Sequence, residues 1–217
     1  MTRRTLGKPA PARRGPTPRG ISTLPPTGAS LAEMDTELGA SPLLERLAYA
    51  RERVRAIADF PQPGILFRDI TPLLADPKAF HMVIDCLVEH FIGQSIDAIV
   101  AIDSRGFIFG APLASRLNTS FVPARKPGKL PGDTLSVEYG LEYGRSSLEM
   151  HRGSLGNGAQ VVVIDDVLAT GGTAAAAGEL VLAQGARVLS YAFVIELDAL
   201  GGRSKLGSTG VLSLLHF

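Results

Sequence analysis

The chain has 217 residues, 45% of them hydrophobic, which suits one domain of the usual ~100–200 residues together with a tail. No apolar run approaches the roughly 18 residues that a membrane-crossing helix requires, and the single cysteine, Cys86, excludes an internal disulfide and points to a reducing compartment. The formal charge of +1 hides an asymmetry: residues 1–32 carry six basic side chains and no acid, the rest sixteen basic against twenty-one acidic, so the folded part is mildly acidic and unsuited to general nucleic-acid binding.

Residues 1–40 are rich in Pro, Gly, Arg and Thr and lack sustained periodicity, which predicts a disordered tail ahead of a domain over 41–217. Three readings of it stand: a flexible tail without assigned role, a stretch upstream of a start at Met34, or an Arg-rich, acid-poor transit peptide. Ser41-Pro42 offers an N-cap and a first-turn proline. Leu43, Leu47, Ala50, Val54 and Ile57 then recur at helical spacing, predicting a helix that runs up to the break at Asp59-Phe60-Pro61-Gln62-Pro63-Gly64. Residues 65–70 read as a short extended segment. Asp76-Pro77 opens a second helix, with Phe80, Val83, Ile84, Leu87, Val88 and Phe91 on one apolar stripe. Cys86 falls in that pattern and is read as core. His81 and His90 have no metal-ligand partner at suitable spacing and are read as structural or solvated.

Residues 96–102 predict a buried strand, and a helix is expected over 107–117. Between them Asp103-Ser104-Arg105-Gly106 offers a guanidinium and several N–H groups, which suits pyrophosphate. A serine-hydrolase elbow fails, because G-x-S-x-G would need glycine where Ile102 stands. After a strand at 122–125, the loop 125–132 carries Arg125, Lys126 and Lys129 among Gly and Pro, either as a solvated basic loop or as a lid over phosphate. Residues 136–151 read as two extended stretches around Leu141-Glu142-Tyr143-Gly144, and Gly156-Asn157-Gly158 turns the chain back.

The stretch VVVIDDVLATGGT, residues 161–173, follows. Four β-branched residues predict a strand buried on both faces, as in a parallel sheet. Asp165 and Asp166 end it, and Ala169-Thr170-Gly171-Gly172-Thr173 leads into an alanine-rich helix over 174–182. Such a loop aims free N–H groups and the positive end of a helix dipole at one point, an anion site for phosphate. A carboxylate beside phosphate is repelled unless it has another task, so ribose hydroxyls or a phosphate-bound metal should face the acidic pair. Neither G-x-x-x-x-G-K-[ST] nor a strand-borne G-x-G-x-x-G is present. With further strands at 188–196 and 212–217, the chain is expected to be an α/β domain with a mainly parallel sheet flanked by helices, its ligands beyond the carboxyl ends of the strands.

The residue 161–173 stretch resembles the 5-phosphoribosyl-1-pyrophosphate (PRPP) motif of type I phosphoribosyltransferases. Taken with ADFPQPGILFRDITPLL, IDSRGFIFG, RKPGKLPG, LEYG and SLLHF, residues 43–217 resemble the adenine phosphoribosyltransferases of that family. The resemblance implies a type I phosphoribosyltransferase-like fold with a small hood and a flexible lid loop. It implies purine salvage, the reaction of adenine with PRPP to AMP and pyrophosphate with Mg²⁺, in a cytoplasmic homodimer without nucleic acid or membrane. Ala169, Thr170, Gly171, Gly172 and Thr173 would cradle the 5′-phosphate; Asp165 and Asp166 would face the ribose hydroxyls and stabilise positive charge on the sugar. Arg105 with Ser104 would hold pyrophosphate, aided by Arg125, Lys126 and Lys129, the last from a neighbouring subunit. Mg²⁺ would be held mainly by PRPP oxygens and water, with no dedicated protein ligands. Adenine would lie against Leu66, Phe67 and Arg68, whose backbone groups can tell a 6-amino from a 6-oxo purine. Glu142 would handle the purine proton and Tyr143 would help close the lid. Two alternatives remain: a phosphoribosyltransferase for another base such as hypoxanthine or xanthine, and a non-enzymatic PRPP-sensing regulator, for which the tail supplies no helix-turn-helix.

Overall fold

A computed structural model describes residues 42–141 and 144–217. The tail of residues 1–40, the Ser41 cap, Glu142 and Tyr143 lie outside the described residues.

Helix α1 (Pro42–Arg51) is shorter than its apolar spacing suggested. It stops at Arg51, and Arg55–Ala58 is strand β1, paired antiparallel with β2 (Leu66–Asp69) in the register Arg55↔Asp69 to Ala58↔Leu66. Residues Val54 and Ile57 fit a helical face, but the proline-containing turn brings β2 back within reach. The ladder and an Arg55–Asp69 ion pair of 2.6 Å then favour extended backbone. Gly64 takes φ of 86° in that turn, a conformation glycine adopts without steric cost.

The short helix α2 (Thr71–Ala75) precedes α3 (Pro77–Phe91), whose start follows from Asp76: its carboxylate accepts the N–H of Lys78 at 2.9 Å and of Ala79 at 3.2 Å. On α3 the stripe residues Val83, Ile84, Leu87, Val88 and Phe91 are buried, as is Cys86, while Phe80 is half-buried; each fully buried large apolar side chain contributes about 1.5–3 kcal/mol before entropy is counted.

Five parallel strands form the centre: β3 (Ala98–Ile102), β4 (Ser120–Ala124), β7 (Gln160–Leu168), β8 (Arg187–Glu196) and β9 (Gly210–His216), in the order β4-β3-β7-β8-β9. Helix α4 (Gly106–Leu117) links β3 to β4, and α5 (Gly172–Ala183) links β7 to β8. The hairpin of β5 (Thr134–Leu141) and β6 (Gly144–His151) is inserted between β4 and β7. Successive strand residues go to opposite cores. Ile99, Ala101, Val162 and Ile164 pack with α3 and α4; Ala98, Val100, Val161 and Val163 pack with α5 and the hairpin. Both faces of the sheet are thus covered, which is why these strands read as unbroken apolar runs.

Strand β7 extends to Leu168, four residues past the apolar run, with Asp165 opposite Phe193 and Val167 opposite Ile195. The acidic pair therefore sits on a strand rather than in a loop. Strand order reverses direction between β3 and β7, and in open parallel sheets that switch point leaves a crevice beyond the strand ends.

Candidate active site

Both loops that leave the switch point turn toward the crevice. From β3 the chain runs through Asp103, Ser104 and Arg105 directly into α4, and the Asp103–Ser104 peptide is cis. Gly106 permits this packing: a Cβ there would lie 2.8 Å from the Ile164 carbonyl oxygen and 3.1 Å from Asp165 Oδ1. Asp103 is held by Arg125, whose Nε–H donates to Asp103 Oδ2 at 2.9 Å, while another Arg125 nitrogen donates to the Lys129 carbonyl at 3.1 Å.

On β7, Asp166 is 3% exposed and Asp165 half-buried. Asp165 Oδ1 accepts the backbone N–H of Asp166 at 2.9 Å. Arg105 Nε lies 2.7 Å from Asp166 Oδ2 but without hydrogen-bond alignment, so that buried oxygen has charge compensation and no hydrogen bond. Desolvation, then the neighbouring charge of Asp166, pushes the Asp165 carboxyl well above the ordinary carboxylate range. Asp166 is also raised by desolvation, against which the Arg105 guanidinium pulls it down. The pair is under-solvated as it stands, and hydroxyl donors or a cation would relieve it.

Gly171 is the N-cap of α5, with φ of 79° and no side-chain cap, so the first N–H groups of the helix have no partner from a capping side chain. A Cβ on Gly171 would collide with the carbonyl of Gly202, and one on Gly172 would lie 3.3 Å from that of Gly140, at the end of the β5–β6 hairpin. The loop is thereby packed between two backbone segments.

Three cavities open here. One of about 420 Å³ is lined by Asp103, Ser104, Arg105 and Lys126, with Tyr139, Ser146 and Leu148 of the hairpin. A small one of about 70 Å³ is formed by Asp165 and residues 167–174. A third of about 330 Å³ lies between Ile65, Leu66, Phe67 and Arg68 on one side and Val167, Ala169 and Leu197 on the other. All three share Asp165 and Thr173. The site is a three-branched crevice meeting at one carboxylate.

Most of the anticipated residues converge on it: Ser104, Arg105, Asp165, Asp166, Lys126, Leu66, Phe67, Arg68, Ala169, Thr170, Gly171, Gly172 and Thr173 each line a branch. Arg125 and Lys129 do not; Arg125 is engaged with Asp103, and Lys129 is exposed. Tyr139, Ser146, Val167 and Leu197 were not anticipated. Leu197 follows the carboxyl end of β8, so the rule that ligands gather at strand ends could have flagged it. Tyr139 carries no such signal.

Elsewhere, among the described residues, Glu196, Asp198 and His216 bring ligand-type atoms within 4.8 Å of one another, but both Glu196 oxygens are held by Arg203 and none of the three lines the crevice. Among the described residues no helix is long and apolar enough to cross a membrane.

A model of the phosphoribosyl transferase domain matches residues 73–206. The chain is 54% identical over 183 residues to adenine phosphoribosyltransferase of Sorangium cellulosum, covering 82% of this chain and 92% of the relative. It is 57% identical over 164 residues to that of Roseiflexus castenholzii, covering 76% and 95%. Among solved structures it is similar to adenine phosphoribosyltransferase from Thermoanaerobacter pseudethanolicus, with a TM-score of 0.77 at 50% identity over 79% of this chain and 99% of the other. It is also similar to the Saccharomyces cerevisiae enzyme complexed with an imino-altritol bisphosphate and adenine, with a TM-score of 0.75 at 43% identity over 79% and 99%.

Proposed function

The chain belongs to the phosphoribosyltransferase family and, within it, to the adenine phosphoribosyltransferases; from that premise we propose that it transfers the 5-phosphoribosyl group of PRPP to adenine, giving AMP and pyrophosphate in purine salvage. The observation that carries the reading on physical grounds is the three-branched crevice, because PRPP and adenine together present three groups around one sugar. The small branch, with the uncapped start of α5, suits the 5′-phosphate. The branch with Arg105, Lys126 and the Ser104 backbone suits pyrophosphate. The branch walled by Leu66, Phe67 and Arg68 suits a flat base.

Asp165 and Asp166 stand where the branches meet, beside the ribose. In the reaction the bond from C1 to the pyrophosphate oxygen breaks and a bond from adenine N9 to C1 forms, so positive charge grows on the sugar between them. Two poorly solvated carboxylates interact more strongly with that charge than with the neutral sugar, which lowers the barrier. Glu142 is our candidate to take the N9 proton, with Tyr143 closing over the site. Arg125 supports the pyrophosphate loop through Asp103 and adds charge at longer range, and Lys129 comes from a neighbouring subunit of a homodimer.

The under-solvated pair and the unsatisfied Asp166 Oδ2 fit the ribose hydroxyls of a Mg²⁺–PRPP complex, whose ion would be held mainly by PRPP oxygens and water. Such an ion would supply positive charge to offset the charge that develops on the pyrophosphate leaving group, beside Arg105 and Lys126. The lone buried Cys86 suits a reducing compartment such as the cytoplasm.

Incubation with adenine, PRPP and Mg²⁺ should yield AMP and pyrophosphate in equal amounts. Turnover of hypoxanthine at an equal or greater rate would overturn the choice of base, and no pyrophosphate release with any purine would overturn the enzyme reading.

A further inference from the structure

The base branch has two walls that belong to different parts of the chain. One is the strip Ile65 to Arg68 on the β1–β2 ribbon, and the other is Val167 with Leu197 at the ends of β7 and β8. Phe217, just after β9, reaches both from outside the cavity. Its backbone N–H donates to the Glu196 carbonyl at 3.0 Å, and its own main-chain oxygen accepts the N–H of Asp198 at 3.0 Å. These bonds bracket Leu197, whose N–H donates to the Leu168 carbonyl at 2.9 Å. The Phe217 ring meanwhile lies against two guanidinium groups, that of Arg68 at 4.4 Å from its centroid and that of Arg51 on α1 at 4.2 Å. Arg51 also donates to the His216 carbonyl. Among the described residues no ion pair or hydrogen bond holds the Arg68 guanidinium, so the ring is what it rests on.

Two cations this close to each other repel, and the quadrupole of an aromatic ring is a means of holding both. We propose that Phe217 is a positioning residue for the base: it ties Arg68 to the Leu197 turn and so sets the spacing between the two walls that receive the purine. It touches no substrate. The proposal rests on the base assignment made above and goes beyond it by naming what holds the walls together.

The test is steady-state kinetics of the full chain with Phe217→Leu and Phe217→Tyr, varying adenine and PRPP separately. Leucine keeps apolar contact at this half-buried position and removes the ring; tyrosine keeps the ring. Phe217→Leu should raise the adenine KM about five- to tenfold, the factor that corresponds to one cation–π contact of roughly 1 kcal/mol. The PRPP KM and kcat should stay within about twofold, and Phe217→Tyr should restore the adenine KM. An unchanged adenine KM in Phe217→Leu, a parallel rise in both KM values, or failure of tyrosine to rescue would overturn the clamp. A wild-type protein that uses another base, with the same Leu effect on that base's KM, would keep the clamp and remove adenine instead.

Discussion

At the scale of single residues, Asp165 shows how a reactive site is maintained at the expense of the fold. Its carboxyl is pushed well above the usual range by burial and then by Asp166, so the folded protein binds a proton there more tightly than the unfolded chain does. The sign follows: this site favours folding most below the ordinary carboxylate value near 4, and that contribution is lost as pH rises through the raised value. Asp165→Asn removes the penalty and keeps an oxygen for the Asp166 N–H. At pH 8 the variant should gain about 2–4 °C in Tm, the shift about 1 kcal/mol produces in a chain of this size, while losing turnover by orders of magnitude. Near pH 4 the gain in Tm should shrink or vanish. A lower Tm at pH 8, or near-normal turnover, would contradict this. The aspartates and the Thr170–Thr173 loop were legible in the sequence because their spacing is set by local geometry, one strand end and one helix start. Tyr139 and Leu197 were not, because each enters the crevice only through packing of distant segments.

At the scale of elements, the β1–β2 ribbon is small and depends on a few polar contacts. Asp69, at its end, is 8% exposed and lies near pKa 2, lowered first by hydrogen bonds from Thr71 and then by Arg55. Phe60 and Phe67 meet edge to face at 5.1 Å on the same ribbon. Losing the charged acceptor costs about 1–3 kcal/mol. Asp69→Asn should therefore lower Tm at neutral pH and raise the adenine KM, since Phe67 and Arg68 share the strand. A depressed carboxylate contributes stability above its unfolded value, and that contribution fades as pH falls from about 4 toward 2. The Tm gap between wild type and variant should close over that window; a gap that persists below it would assign the loss to something other than charge. On this ribbon the helical spacing ran past the helix, because Val54 and Ile57 fit a helical stripe although Ile57 lies on β1. Only the return of β2, a contact made across the turn, decides between helix and strand. The long stripe on α3 left no such ambiguity, since fifteen residues and a proline start admit one period.

At the scale of the whole molecule, a basic loop is brought beside an acidic crevice. Lys126 lines the pyrophosphate branch, whereas Lys129 is exposed and lines none of the three branches. The arrangement makes sense if Lys129 serves a second copy in a two-fold dimer, where each subunit lends the same residue to the other. Complementation tests this directly. Lys129→Ala and Asp166→Asn should each be nearly inactive alone. Unfolded together in equal amounts and refolded, half of the dimers would be mixed. In a mixed dimer the Lys129→Ala subunit keeps its own Asp166 and receives an intact Lys129, so one of its two sites is whole. Activity should then reach about a quarter of the wild-type value. If Lys129 acts within its own chain, every site in every mixed dimer lacks one residue and mixing gains nothing. Sedimentation of the refolded mixture as a monomer would reject the shared site as well, since a monomer has no second copy to draw on.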